Sequence, residues 1–354
     1  MSSSISSFNH PVSPWRRFFR LLAGAAAVAT AIVYAFVVLV DPYDVLPLSP
    51  PADRPPVASN QRFSYPTLAR SQRFDSALFG TSSSRLIRPE VLNPLFGANF
   101  ANLAMNDATV YEQSRLFQVF ARAHPSAKMV MLGLDYRWCV TGPDYQRLTF
   151  RTFPEWMYRE NVWRGYREMF NLYAIQSAGQ LFGIMIGIKK PDQGRDGYTS
   201  FVPPDATYDA ARALAHLTSE EPAIPAGARG GEPSSWEYPA MPALREMLTT
   251  MPSTSRKVMF FIPYNRRLLP EPGSTGAMVW DECRRRVVAE AAAVPNTLVV
   301  DFMRISPISS MDENYWDGIH YRTGIADRLA RDLAAAGRGE LSDDYMVLTT
   351  AAFR

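Results

Sequence analysis

Hydrophobic and polar positions divide the chain into three stretches with different rhythms. From Leu21 to Val40 no residue is charged, and a run of that length, at about 1.5 Å per helical residue, crosses the hydrocarbon core of a bilayer. The run has no polar face, which argues against a core helix of a soluble domain. From Asp41 to Asn60, Pro42, Pro47, Pro50, Pro51, Pro55 and Pro56 break any regular helix and predict an extended spacer. From about Gln61 onward, short apolar runs alternate with amphipathic patterns of helical period. The pattern predicts strands at 75–80, 98–105, 128–136, 256–264 and 297–303, and helices at 83–95, 110–123, 278–293 and 322–336. The alternation lapses between 137 and about 242, where helical pieces, aromatic clusters and a Gly/Pro/Ser-rich loop at 225–235 read as an insertion. The expected fold class is α/β: one domain over 61–354 built on an open, mostly parallel five-stranded sheet with helices on both faces.

Charge orients the apolar run. Arg16, Arg17 and Arg20 precede it, and Asp41 and Asp44 follow. The positive-inside rule keeps residues 1–20 in the cytoplasm and sends the folded domain to the far side, the periplasm of a bacterium whose inner membrane holds the anchor. The small residues Ala23 to Ala27 admit a cleaved signal peptide as the competing reading, but a secretory apolar region is usually only about 7–15 residues long. A content of 47% hydrophobic and 12% aromatic residues is enough for a large core, and a scattered net charge of +3 leaves no nucleic-acid footprint. Cys139 and Cys283 lack metal-ligand spacing and are read either as one disulfide in an oxidising compartment or as two buried thiols. No Gly-rich phosphate cradle and no His/Cys cluster stands out, so neither a metal nor another cofactor is expected.

The chain has four histidines. His10 precedes the anchor, His124 ends a predicted helix and His216 lies in the insertion, which leaves His320 as the candidate base. It follows Asp317 by three residues, just ahead of the last predicted helix. An imidazole takes a proton near neutral pH, and a neighbouring carboxylate fixes its tautomer. The matching nucleophile is sought in Gly80-Thr81-Ser82-Ser83-Ser84-Arg85, directly after the first predicted strand, with Ser83 and Ser84 as alternatives to Ser82. Asn106-Asp107 follows the second strand and Asp135-Tyr136 ends the third, so three polar turns share the carboxyl rim, where sites in parallel sheets lie. Taken singly, Ser82 also suits a helix N-cap and Asp317–His320 a solvated turn.

The order of Gly80-Thr81-Ser82, Asn102-Leu103-Ala104-Met105-Asn106-Asp107, Gly133-Leu134-Asp135 and Asp317-Gly318-Ile319-His320 resembles the four blocks of the SGNH (GDSL-type) hydrolase superfamily. It is similar in particular to membrane-anchored bacterial members associated with exopolysaccharide O-acetylation, including those of alginate. The resemblance spans roughly Gln61 to Gly337. It implies a three-layer α/β/α, flavodoxin-like fold with Ser82 as nucleophile, His320 as base and Asp317 as its orienting carboxylate. The Ser82 N–H contributes to the oxyanion hole. Two positions depart from the family pattern: Asp107 stands where a glycine is usual and Asp135 where an asparagine is usual. A carboxylate at 135 repels an oxyanion, so either Asn106 supplies the amide or Asp135 turns away toward a sugar hydroxyl or Arg85. Arg85, Tyr136 and Trp138 are candidate substrate contacts. The implied activity is a serine esterase or O-acyltransferase that moves a short acyl group on an envelope polysaccharide, with a membrane-bound acyl donor protein as a further partner. The alternative is a non-catalytic glycan-binding or scaffold module on the same fold. The aromatics and arginines from Arg137 to Ile188 either line a carbohydrate groove or pack the insertion onto the domain.

Overall fold

The computed structural model describes residues 14–57, 59–142, 145–161, 163–219 and 232–349; His10 and most of the Gly/Pro/Ser-rich loop lie outside them. The chain divides into two compact units. One comprises residues 1–54 with 162–189, and the other comprises 55–161 with 190–354.

In the first unit one helix among the described residues, α1 (Pro14–Val40), is long and apolar enough to cross a membrane. The spacer after it holds no helix, but its start is ordered by one side chain: Asp41 accepts hydrogen bonds from the N–H groups of Val45 and Leu46 and from the Ser49 hydroxyl. The remainder of this unit is α6 (Arg164–Glu168) and α7 (Leu172–Met185). These two helices come from the stretch expected to be an insertion in the α/β domain. They associate with α1 because α7 has a face of small residues, Ala174, Ser177 and Ala178, which are buried.

The second unit carries α2 (Gln61–Arg70), β1 (Ser76–Phe79), α3 (Ser82–Arg85), α4 (Pro89–Phe96), β2 (Phe100–Asn102), α5 (Val110–Ala123) and β3 (Met129–Leu134). After the excursion through the first unit come α8 (Ala210–Ser219), α9 (Met241–Thr250), β4 (Arg256–Phe261), α10 (Thr275–Ala292), β5 (Thr297–Asp301), α11 (Thr323–Gly337) and β6 (Met346–Val347). The sheet has six strands in the order β2-β1-β3-β4-β5-β6. The first five are mutually parallel, and β6, absent from the sequence expectation, adds an antiparallel edge to β5. Two residues of pairing leave no hydrophobic alternation to read. Right-handed crossovers place α4 on one face of the sheet and α5, α9 and α10 on the other, and α4 packs on α11 while α9 packs on α5 and α10. The residues of β1, β3 and β5 are buried throughout, as a sheet covered on both faces requires.

The helix expected at 83–95 is two. Proline at position 89 forces Arg88 into extended backbone, so the first turn stops at Arg85 and α4 starts anew with proline in its first turn. Helix α2 was not expected at all. It holds Pro66 and few apolar residues, yet Arg62, Tyr65 and Leu68 are buried. Cys139 and Cys283 form a disulfide that ties the turn after β3 to α10, closing a sequence separation of 144.

The free edge of β2 is covered by the chain returning from the first unit: Asn102 N–H donates to Asp196 O at 2.7 Å, and the Tyr65 hydroxyl donates to Gly197 O. Gly197 has φ +84°, and a Cβ there would lie 2.3 Å from Asn102 O, so only glycine lets the backbones approach. Two further glycines shape the sheet's carboxyl rim. A Cβ at Gly80 or Gly133 would stand 2.3 or 1.9 Å from Ser84 Oγ, so the turn after β1 seats itself between β1 and β3 only because both lack side chains.

The second unit's most demanding interaction is a fully buried ion pair. Arg62 Nε and Nη2 donate to Glu112 Oε1 and Oε2 at 2.9 and 2.6 Å, Nη1 donates to Asn106 O, and Nη2 also reaches Thr149 Oγ1. Glu112 also closes a capping box with Thr109 at the start of α5. Removing one partner of such a pair strands the other charge in the interior, so Arg62→Ala is expected to lower unfolding stability by about 3–5 kcal/mol, as measured by urea denaturation followed by circular dichroism.

Candidate active site

β1 lies between β2 and β3, so the chain leaves β1 in one direction and later passes it in the other; the crevice at this reversal lies beyond the carboxyl ends of β1 and β3. Ser82 follows β1, Asn106 and Asp107 follow β2, and Asp135 follows β3. A cavity of about 380 Å³ opens here, lined among others by Ser82, Asn106, Asp107, Asp135, Tyr136 and His320. That volume falls in the range of small-molecule sites.

Ser82 and His320, 238 residues apart, meet in this cavity. The Ser82 Oγ lies 2.7 Å from His320 Nε2, and His320 Nδ1 lies 2.6 Å from Asp317 Oδ2. The other carboxylate oxygen of Asp317 accepts the N–H groups of Ile319 and His320 at 3.0 and 2.7 Å. One aspartate therefore orients both the imidazole and the backbone that carries it. Burial acts to raise the Asp317 pKa, but the hydrogen bond and charge of His320 and the two N–H groups outweigh it and hold the carboxyl below its usual range. It stays ionised as a partner for an imidazolium.

The loop that delivers His320 is pinned on several sides. Tyr315 pairs with Tyr321, and Trp316 N–H donates to His320 O at 2.8 Å, closing a tight hairpin. The Ser83 hydroxyl donates to Ile319 O, and the Tyr321 hydroxyl donates to Ser83 O at 2.6 Å, so the residue after Ser82 grips the residues on either side of His320. Phe201 presses edge-on against the imidazole, with ring centroids 5.3 Å apart. Ser83 is thus a structural clasp. Ser84 Oγ is buried against the two glycines, and neither of these serines is the nucleophile.

Ser82, Asn106 and Asp107 line the cavity, and each has a donor group to consider for an oxyanion. Ser82 and Asp107 make no backbone N–H hydrogen bond among the described residues. Asp107 has φ +53°, the left-handed conformation that glycine adopts most easily, so its backbone shape is glycine-like. Its carboxylate is drawn off by an ion pair with Arg137. Asn106 Oδ1 accepts from Arg85 Nη1 at 3.1 Å, which turns its amide nitrogen the other way as a donor.

Asp135 does not fill the asparagine's place. Its Oδ2 accepts from Thr81 Oγ1 at 2.6 Å and its Oδ1 from Arg137 N–H at 3.0 Å, so both oxygens act as acceptors. Its partners are Thr81 and Arg137 rather than Arg85. Burial pushes its pKa up to about 6, only partly offset by those hydrogen bonds. Trp138, a candidate substrate contact, is a core residue: it is fully buried, with its Nε1–H donating to Gln113 Oε1. Arg85 is also buried, and it acts by holding Asn106 and stacking over Phe201. Tyr136 does line the cavity. Arg151, Phe201 and Tyr264 line it too, and none was singled out as a site residue because they arrive from remote segments. Among the described residues no group of three or more His, Cys, Asp or Glu side chains could hold a metal ion. Compared with known proteins, the chain matches no family model and no curated sequence.

The raised pKa of Asp135 has a definite sign in stability. A carboxyl with a folded pKa near 6 and an unfolded value near 3.8 binds its proton more tightly in the folded state, so its burial destabilises the fold only as pH rises through that window. The unfolding free energy of Asp135→Asn relative to the native chain is expected to increase by about 2–3 kcal/mol between pH 4 and pH 7, as followed by denaturant titrations at each pH. A flat difference across that range would show that Asp135 ionises normally.

Proposed function

We propose that this chain is a membrane-anchored serine acyl esterase or O-acyltransferase of the SGNH type, acting on a glycan of the cell envelope. The observation that carries the reading is the unbroken hydrogen-bonded series Ser82 Oγ, His320 Nε2, His320 Nδ1 and Asp317 Oδ2, ending in a cavity. Each member supports one step. His320 takes the Ser82 proton as Oγ attacks the acyl carbon, and Asp317 stabilises the imidazolium. The oxyanion draws on the Ser82 and Asp107 N–H groups and the Asn106 amide. Collapse leaves acyl-Ser82 and releases the alcohol, which receives the proton from His320. Water or a sugar hydroxyl, deprotonated in turn by His320, then takes the acyl group. Tyr136, Tyr264 and Phe201 offer aromatic surface for a sugar ring, and Arg151 supplies a positive charge beside it.

The anchor reading has two supports. Arg16, Arg17 and Arg20 flank the start of the apolar run and assign that end to the cytoplasm. The Cys139–Cys283 disulfide suits an oxidising compartment such as the periplasm. On this reading α1 crosses the inner membrane and the catalytic unit works outside it, where a membrane-bound protein is a suitable source of acyl groups.

One observation favours a second reading, a non-catalytic glycan-binding module: above pH 6 the Asp135 charge lies in the wall of the pocket. Turnover of p-nitrophenyl acetate by the full-length protein separates the two. The full chain is required because cutting at residue 61 would strip α7 of its packing partner. Ser82→Ala and His320→Ala are each expected to reduce turnover by at least about 10³-fold, and the native protein is expected to gain an acyl group on Ser82 detectable by mass spectrometry. Equal turnover in all three, with no adduct, would favour the binding module.

A further inference from the structure

Between Met169 and Ile188 the chain carries no charged residue, while Arg164, Arg167 and Glu168 precede this stretch and Lys189 and Lys190 follow it. It contains α7, whose residues sort into three stripes at about 100° per residue. Ala174, Ser177, Ala178 and Leu181 share one face and are buried. Leu172, Ile175, Phe182 and Ile186 share a second face and are exposed, Leu172 by 84%. Tyr173, Gln176 and Gln180 form a third, polar face. A soluble protein rarely leaves such a contiguous apolar stripe in water.

Contacts from α7 and from the segment before it show where α7 lies along α1. Tyr34 donates its hydroxyl to Tyr166 O at 2.5 Å, the rings of Phe36 and Phe182 meet at 5.6 Å, and Tyr43 hydrogen-bonds Ser177 Oγ. These contacts run along the C-terminal part of α1 and just past its end. We propose that residues 169–188 are a second membrane-embedded element: a helix lying in the leaflet where α1 exits, with its Leu172–Ile186 face against lipid. The proposal rests on the reading that α1 crosses the membrane.

Length, end chemistry and flanking charge all fit this occupant. At 14 residues, α7 is about 21 Å long, too short for a hydrocarbon core of about 30 Å, so it occupies one leaflet. Both ends are capped by the chain itself. Asn171 accepts from Ala174 N–H at the start, and Gly183 O accepts from both Ile188 and Lys189 N–H at the end. Trp163 stacks on Tyr166 beside the basic residues, the aromatic and cationic combination favoured at the headgroup level. A groove of about 460 Å³ between α1 and α7, lined by Val33, Val37, Phe170, Leu172 and Ile175, is shaped and apolar enough for an acyl chain.

Because Cys139 and Cys283 are joined, single cysteines introduced elsewhere can be spin-labelled selectively. Full-length protein in phosphatidylethanolamine/phosphatidylglycerol nanodiscs is labelled at Leu172→Cys, Ile175→Cys or Ile186→Cys. Val28→Cys on α1 serves as the lipid reference and the exposed Leu148→Cys as the aqueous reference. Collision with oxygen and with an aqueous nickel chelate is then read by electron paramagnetic resonance. The expected result is loss of nickel collision and retention of oxygen collision at all three α7 positions, matching Val28. Nickel collision at those positions while Val28 stays oxygen-accessible overturns the embedded helix and leaves the anchor intact. Low collision with both reagents overturns it in favour of a protein partner, such as a second copy. Nickel collision at Val28 itself removes the anchor reading, and the proposal with it.

Discussion

Arg62 and Glu112 carry opposite charges in a place without water, and the geometry of the site follows from satisfying them. A buried guanidinium must use its donors or pay heavily in desolvation. Arg62 spends them on both oxygens of Glu112, on the Asn106 carbonyl and on Thr149. Glu112 in turn accepts the Thr109 N–H, which starts α5 at the right residue. Four separate segments therefore converge on one pair: α2, the turn after β2, the first turn of α5 and the chain near position 149. The turn after β2 carries Asn106 and Asp107, so the oxyanion side of the cavity is held from behind by charge.

The opposite side of the cavity is held by hydrogen bonds. Asp317 binds the imidazole and two backbone N–H groups at once, and the Ser83 and Tyr321 clasps fasten the same hairpin to the turn that bears Ser82. That turn can accept the clasp only because Gly80 and Gly133 leave room for Ser84. Backbone economy at two glycines thus reaches through Ser84, Ser83 and Ile319 to the position of a histidine more than two hundred residues away. The hydrogen bond between Ser82 and His320 needs both partners closely placed, and each is held by contacts other than the bond between them.

How much of this was legible follows from which signals are local. Helix α5 is read in full from its amphipathic period, and the five parallel strands are read because each is a short apolar run. Ser82, Asp317 and His320 were legible as residue types at strand and helix boundaries. Helix α2 was not, because its stability comes from buried polar side chains whose partners lie far along the chain. Phe201 and Tyr264 were invisible for the same reason, and so was β6, whose pairing is only two residues long. The aromatic and basic stretch from 137 to 188 misled in a more instructive way. Its aromatics were weighed as one patch, yet Trp138 and Tyr158 are core residues of the second unit, while Trp163, Tyr166, Phe170 and Tyr173 belong with α1. The uncharged run at 169–188 was present in the sequence all along, broken up to the eye by its glycines and glutamines.

Asp135 brings a carboxylate to the wall of the cavity, and its surroundings decide what that charge does there. An isolated carboxylate in the cavity wall repels a developing oxyanion, and in a dry site that repulsion is not screened. Here the charge does not point into the cavity unopposed. Thr81 and the Arg137 N–H hold its two oxygens, while the Arg137 guanidinium neutralises Asp107 and Arg151 lines the same cavity. Two carboxylates are thus set against two guanidiniums around the pocket. What the substitution changes is the pH at which the wall becomes charged, since protonation near 6 turns an acceptor into a group able to donate. For acyl transfer of the kind proposed, the wall is least repulsive to an oxyanion while Asp135 keeps its proton. Burial is the larger influence on that proton's hold, and the hydrogen bond from Thr81, which favours the ionised carboxylate, offsets it in part.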